Sequence, residues 1–377
     1  MHIVFLTNEY PKKGTNSGGI GSFVHFLAHQ LISKDIKVSV IGINSNHTNE
    51  EEIDSKVEVY RLAKSNWKFA KFHQNSKRIL KKIEEINRIN TIDIVEGSEL
   101  SFAFFPSDTP YRKVIRLHGG HHFFAIELNK KPALWRGYQE KESFKKAESF
   151  VAVSNYVGMK TQQYLKYDFE YTTIFNCVSV NKFKKANESL IIEKSLLFIG
   201  TVCEKKGIRQ LVQAIPIVKN KIPDITLSIV GRDWSFPNGK SYTNYLKTFI
   251  PHEIEAAINI VGPIPHNEIP SYIEKAHICV FPSHMESFGL VVLEALNMGK
   301  PVIASNIKPF CEIIKDKKTG ILVDPFSPND IAEKIINLLG DNEKSKELGN
   351  CARKDMLKRF NTDSIVNQNL EFYKSIL

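Results

Sequence analysis

The residues of this 377-residue chain best equipped for chemistry lie in Pro282-Ser283-His284-Met285-Glu286-Ser287-Phe288-Gly289-Leu290-Val291-Val292-Leu293-Glu294-Ala295-Leu296. A strand over 278–282 runs into a loop carrying Glu286, and a helix is expected from near Ser287. The early amides of such a helix, at Phe288, Gly289 and Leu290, lack intrahelical acceptors and are available to hydroxyls or phosphate. If Glu286 and Glu294 were both helical, eight residues would separate them by about 12 Å and turn the second about 80° beyond two whole turns. A glycosidase holds its carboxylate pair roughly 5 to 9.5 Å apart across one bond. This pair suits two parts of one long ligand instead. The plainer reading makes Glu286 a charge stabilised by the helix dipole and Glu294 a surface residue. The apolar surroundings of Glu294, in VVLEALNMG, make a solvated role hard to arrange.

Three other segments carry unusual chemistry. In Phe198-Ile199-Gly200-Thr201-Val202-Cys203-Glu204-Lys205-Lys206-Gly207 a strand ends in glycine and delivers paired lysines to the next helix, where Lys206 is a point charge suited to phosphate. Ser17-Gly18-Gly19-Ile20-Gly21 follows the first strand and opens a helix, so that Gly18 and Gly19 let backbone amides approach an anion. Its GGxG spacing is not the dinucleotide fingerprint GxGxxG, and no acidic residue ends the second strand, which disfavours an NAD-dependent dehydrogenase. Arg116-Leu117-His118-Gly119-Gly120-His121-His122 lies at a strand end, where His118 is placed to hydrogen-bond a substrate hydroxyl or carbonyl. Three histidines in five residues invite a metal, but neither HExxH nor the carboxylate and cysteine spacing of known sites is present.

These residues need strands to position them. Apolar β-rich runs alternate with helical periods throughout, the pattern of parallel sheets covered by helices on both faces. Strands are expected at 3–7, 37–43, 57–62, 92–96, 113–117, 150–154 and 172–175, and again at 195–200, 226–231, 259–262, 278–282, 301–305 and 320–323. The fold class is α/β: two doubly wound domains facing across a cleft, 1–180 and 195–360, with a polar linker at 181–194. Helices at 343–359 and 363–376 end the chain, and 361–377 is expected to pack back on the first domain. In open parallel sheets ligands sit beyond the carboxyl ends of strands, where all four segments fall.

At this length the chain accommodates two cores. Hydrophobic content of 42% and charged content of 24% are globular values, and no apolar run approaches a membrane span. HIVFLT leads directly into Asn8, Glu9 and Tyr10 and reads as a first strand rather than a signal peptide. Five widely spaced cysteines with no CxxC pair argue against a disulfide framework or zinc site and fit a reducing cytoplasm. The net charge of +10 is concentrated early: residues 1–185 hold 28 basic against 19 acidic residues, the remainder 23 against 22. Its densest stretch, Arg61 to Asn90, combines nine Lys and Arg with Trp67, Phe69 and Phe72, and can lie on an anionic membrane surface. The bland alternative is a solvated helix whose aromatics pack inward. Nucleic acid is disfavoured, since no binding motif accompanies the charge.

The chain resembles the retaining GT-B glycosyltransferases, the glycosyltransferase group 1 or family 4-like bacterial enzymes, over nearly its full length. The resemblance rests on GGIG, RLHGG, VSNYV, IFNCV, FIGTVCEKKG and above all ESFGLVVLEAL followed by GKPVIAS, with its E-x7-E spacing. It implies a donor nucleoside-diphosphate sugar, UDP- or GDP-linked, with Glu286 on the sugar hydroxyls and Glu294 on the ribose. Lys206 would hold the diphosphate, helped by amides at Gly19 and Phe288 to Leu290. His118 would bind the sugar or support the reacting centre, and Glu312 would lie near the donor. No cofactor or metal is expected. Where the family usually has arginine after the strand-ending glycine, this chain has Thr201, so neutralisation falls more on Lys206, with Lys205. The acceptor is expected to be a glycan or lipid-linked glycan in cell-surface polysaccharide or lipopolysaccharide assembly, at the inner face of the cell membrane. The competing readings are a GT-B sugar-nucleotide 2-epimerase and a non-catalytic sugar-nucleotide-binding protein.

Overall fold

The structure, a computed structural model, describes residues 1–12, 18–44, 46–66 and 71–377. Trp67, Lys68 and Phe69 of the basic stretch, and Ser17 of the glycine turn, lie outside the described residues. The chain forms two compact units, Met1–Asn176 with Asp363–Leu377, and Cys177–Thr362.

The first unit runs β1 (His2–Leu6), α1 (Gly19–Ile32), β2 (Lys37–Ile43), β3 (Glu50–Asp54), β4 (Val57–Leu62), α2 (Lys71–Ile89), β5 (Ile94–Gly97), β6 (Arg112–Leu117), α3 (His121–Glu127), α4 (Leu134–Lys146), β7 (Ser149–Ala152), α5 (Asn155–Leu165) and β8 (Thr172–Thr173). Its sheet has the order β3-β4-β2-β1-β5-β6-β7-β8, parallel except for the β3–β4 pair. Central strands are buried on both faces and mostly apolar, Ile3, Val4 and Phe5 in β1 and Val38, Val40 and Ile41 in β2, because helices cover both faces. Sequence patterning did not anticipate β3. Its EEEID carries no apolar alternation and is held at the edge by Lys12–Glu50, Lys82–Glu51 and Arg61–Glu52 ion pairs.

The second unit runs β9 (Ser195–Ile199), a 3₁₀ turn at Glu204–Lys206, α6 (Ile208–Lys219), β10 (Thr226–Val230), α7 (Tyr242–Lys247), β11 (Ile258–Gly262), α8 (Ile269–Lys275), β12 (Ile278–Phe281), α9 (Leu290–Asn297), β13 (Val302–Ser305), α10 (Lys308–Ile313), β14 (Ile321–Val323), α11 (Pro328–Leu339) and α12 (Asn342–Arg359). Its sheet is wholly parallel, β11-β10-β9-β12-β13-β14. The core joins Leu196 and Phe198 of β9, Leu211 and Ile215 of α6, and Ile331 and Ile335 of α11. Residues 180–194 belong to this unit: Asn297 Nδ2 donates to the Phe183 carbonyl at 2.7 Å and Ala186 N–H to that of Met298 at 2.9 Å.

The last helix, α13 (Thr362–Ser375), joins the first unit through one buried polar knot. Arg116 of β6 pairs with Glu96 of β5, Nε to Oε1 at 2.6 Å, and donates to Asn369 Oδ1 at 2.7 Å. Tyr373 donates to Glu96 Oε2 at 2.7 Å. A buried guanidinium is tolerable only when so supplied with acceptors.

Candidate active site

In the second unit the strand order reverses between β9 and β12, the place where doubly wound sheets open a crevice. Lys206 follows β9, Glu286 follows β12, and the two form an ion pair. The local backbone explains the meeting. Gly207 has φ +65° and sits so close to Pro282 that a Cβ would lie 1.8 Å from the proline carbonyl oxygen, so only glycine permits the approach. His284 N–H then donates to the Lys205 carbonyl at 2.9 Å, and Ser283 Oγ donates to Glu286 Oε1 at 3.0 Å. Beneath the lysines, burial would raise the Glu204 carboxyl, but hydrogen bonds from Arg209, Tyr242 and Gln210 hold it at about 2. That anchored carboxylate fixes the turn from which Lys206 projects.

The helix after β12 begins at Leu290, not near Ser287, so Glu286 lies in the loop and helical spacing between the carboxylates does not apply. The cause is Gly289, whose φ of +104° caps the helix with a left-handed residue against the Phe310 ring. Among the described residues the N–H groups of Leu290 and Val291 meet no acceptor, as the first amides of a helix do unless a cap or ligand supplies one. Phe288 is buried in the loop before them.

Glu294 is 6% exposed, which removes the surface reading. Its Oε1 faces His266 Nε2 at 3.2 Å, and His266 Nδ1 in turn faces Lys182 Nζ. That network assigns the imidazole proton to Nε2, donated to the carboxylate. Burial lowers the pKa of Lys182 while Glu294 raises it. Glu312 lies on α10, half-buried, and its carbonyl accepts from Arg359. Thr201 accepts a hydrogen bond from Arg232 Nε at 3.4 Å. Arg232 follows β10, is exposed, and makes no ion pair with a described residue. It was missed in the sequence, although IVGR repeats the pattern of a strand-ending glycine that singled out FIGT. No pattern marked His266 or Lys182.

In the first unit His118 follows β6 and Gly18 and Gly19 precede or open α1 after β1, with β5 between the two strands. The His118 ring meets Phe23 of α1 edge-on at 5.8 Å. Burial, then the neighbouring Arg116, push its pKa down to about 3, so the imidazole is neutral. The Glu9 carboxylate lies beside Gly18, occupying space a side chain would need. In the same unit Glu99 is 3% exposed, and the backbone N–H groups of Glu99, His118 and Gly119 act to lower its carboxyl. Burial, with Glu140 near it, raises the Glu99 carboxyl to about 8 against those donors. The three histidines of the turn face different partners: His121 Nε2 accepts from Ala133 N–H at 2.8 Å and His122 Nδ1 pairs with Glu140. They share no ligand position.

Comparison with known proteins fits this architecture. Residues 181–355 match the family model "Glycosyl transferases group 1" and residues 17–182 match "Glycosyltransferase Family 4". An uncharacterized glycosyltransferase of Methanocaldococcus jannaschii is 27% identical over 355 residues, 93% of this chain and 92% of that protein. Two glycogen synthases of Mycobacterium tuberculosis and a D-inositol 3-phosphate glycosyltransferase of Paenarthrobacter aurescens are matched over less than half of this chain and less than half of their own length. The sucrose-phosphate synthase structure from Thermosynechococcus elongatus superposes with a TM-score of 0.83 at 19% identity, covering 100% of this chain and 98% of that one. The Anabaena HepE structure, solved in complex with UDP and glucose, gives 0.78 at 18% identity, covering both chains fully. Each half of the chain thus has its own family match and its own parallel-sheet α/β unit, and together they make this protein a glycosyltransferase of the GT-B type.

Proposed function

We propose that the protein is a retaining enzyme that transfers a hexose or N-acetylhexosamine from a nucleoside-diphosphate sugar to a glycan or lipid-linked acceptor, in cell-surface polysaccharide or lipopolysaccharide synthesis. The observation that carries this reading is the Lys206–Glu286 pair beside the acceptor-free N–H groups at the start of α9. A donor diphosphate takes Lys206 and these amides, with Arg232 as a second cation where Thr201 offers none. The donor sugar's hydroxyls then inherit Glu286, and the ribose takes Glu294 and the His266 behind it. Fixed cations and amides stabilise the charge that grows on the departing diphosphate without reorganising. Glu286 is engaged by Lys206 and Ser283 rather than poised to attack, which favours same-face substitution. In that step the bond from the anomeric carbon to phosphate breaks as the bond to the acceptor oxygen forms, and the acceptor proton passes to the leaving phosphate oxygen. Neutral His118 serves as a hydrogen-bonding group on the sugar.

On the acceptor side, an exposed aromatic patch favours a lipid-linked glycan. Trp135 stacks on Tyr138 at 5.8 Å, Phe104 lies 6.3 Å from Trp135, and His73 of α2 meets Phe104 at 5.5 Å. Phe72 is 52% exposed rather than packed inward. Peripheral attachment at the inner face of the membrane follows, and among the described residues no helix is long and apolar enough to cross one.

The UDP and glucose bound to the similar Anabaena protein make UDP-sugars the first donors to try. Incubation with UDP- and GDP-sugars and a lipid-linked saccharide should release nucleoside diphosphate and give a product whose anomeric configuration, read by NMR, matches the donor. An inverted product would overturn the retaining mechanism. Epimerised donor without transfer would favour the epimerase, and binding without turnover the binding protein.

A further inference from the structure

We propose that His25, His29 and Asp54, in the first unit, form a binding site for a divalent transition-metal ion of the zinc class, with Tyr10 orienting the carboxylate. His25 and His29 are four apart on α1 and project from one face, so their rings lie 4.4 Å apart. Asp54 ends β3, the acidic edge strand, and turns its carboxylate onto that face. Asp54 Oδ2 lies 3.2 Å from His25 Nε2 and 2.9 Å from His29 Nε2. The three ligand atoms all fall within 4.8 Å of one another. Zinc takes nitrogen at about 2.0–2.1 Å and carboxylate oxygen at about 2.0–2.2 Å, so tetrahedral donors stand about 3.4 Å apart. The observed spacing needs little adjustment to meet that.

The surroundings favour the same chemistry. Two imidazoles and one carboxylate suit zinc, cobalt(II) or nickel(II) rather than the all-oxygen shells of magnesium or calcium. Tyr10 is 5% exposed and donates its hydroxyl proton to Asp54 Oδ2 at 2.9 Å, the outer hydrogen bond that commonly fixes a metal-ligating carboxylate. Arg61 and Lys12 are held by carboxylates of β3 other than Asp54, Arg61 by Glu52 and Lys12 by Glu50. Three protein ligands leave the fourth position to water or an added ligand. An ion there ties the edge strand β3 to α1, the helix that Gly18 precedes and Gly19 opens. The inference does not depend on the proposed reaction, because neither the donor groups nor their partners belong to it.

Chelator-treated full-length protein should bind one zinc ion by calorimetry, and cobalt(II) should develop the visible absorption of a low-coordinate nitrogen and oxygen site. His25→Gln and His29→Gln should each abolish that ion while circular dichroism stays unchanged. Tyr10→Phe should keep it with about ten- to a hundredfold weaker affinity. Cys311→Ser with Cys351→Ser should leave it intact. Undiminished binding in both histidine variants, thiolate-to-cobalt absorption, or no bound ion in the parent protein would each overturn the site and leave Asp54 as an ion-pair partner only.

Discussion

Lys206 Nζ and Glu286 Oε1 form an ion pair between residues 80 positions apart, each following a strand at the point where the sheet order reverses. The pair depends on backbone: Gly207 touches the Pro282 carbonyl and His284 bonds to the Lys205 carbonyl, so the loops are registered before any donor arrives. A diphosphate that binds Lys206 must therefore compete with Glu286 or share the lysine with it.

Lys206→Ala should lower kcat by about a hundredfold or more, the scale seen when one charge-stabilising donor is removed. The melting temperature should hardly change, because the side chain is partly exposed and the turn is fixed by Glu204. Glu286→Gln should also lower kcat, while binding UDP alone at least as tightly as the parent, since the lysine is released. Equal UDP affinity loss in both variants, measured by calorimetry, would refute the division of roles.

Arg232→Ala should weaken donor binding about tenfold, or about 1.4 kcal/mol, through KM more than kcat. Adding Thr201→Arg to that variant should recover the loss, because both side chains issue from neighbouring strand ends and meet at 3.4 Å. Steady-state kinetics at two salt concentrations would check it; an Arg232→Ala enzyme with unaltered KM would sink the assignment.

Glu99 has its carboxyl raised to about 8 in the fold, well above its unfolded value. A raised carboxyl binds a proton in the folded state that the unfolded chain has released. Stability therefore falls with rising pH between about 4.5 and 8, by about 1.4 kcal/mol per pH unit at most. Glu99→Gln keeps a neutral acceptor for the His118 and Gly119 amides and removes the titration. Urea unfolding should find the variant matched with the parent near pH 4 and more stable at pH 8. A gap that does not grow with pH would count against a protonated Glu99.

Leu134, Trp135 and Tyr138 of α4 are 92%, 57% and 54% exposed. Replacing Trp135 and Tyr138 by Ser should reduce sedimentation with phosphatidylglycerol-rich vesicles several-fold without changing turnover on a soluble acceptor. The parent's binding should weaken as salt rises, since the chain carries a net charge of +10. Equal binding to neutral vesicles would argue against the anionic surface.

Strand and helix order could be read directly from the residues because parallel strands buried on both faces appear as unbroken apolar runs, Ile3 to Phe5 or Ile278 to Phe281. β3 could not, since an edge strand needs only backbone pairing and its Glu50, Glu51 and Glu52 are satisfied by distant cations. The sequence also presented Glu286, Lys206 and His118 as candidates by their place after strand ends, and Glu294 by its apolar helical surroundings and its spacing from Glu286. It did not set the start of α9, which the backbone angle of Gly289 and the Phe310 ring fix at Leu290. Nor did it reveal the Glu286–Lys206 contact, the His266 and Lys182 behind Glu294, Arg232 beside Thr201, or the His25, His29 and Asp54 cluster. Local sequence records what a residue can do and which element bears it. Which residues share a hydrogen bond across 80 positions is decided by sheet order and close backbone approach, and these exist only in the folded chain.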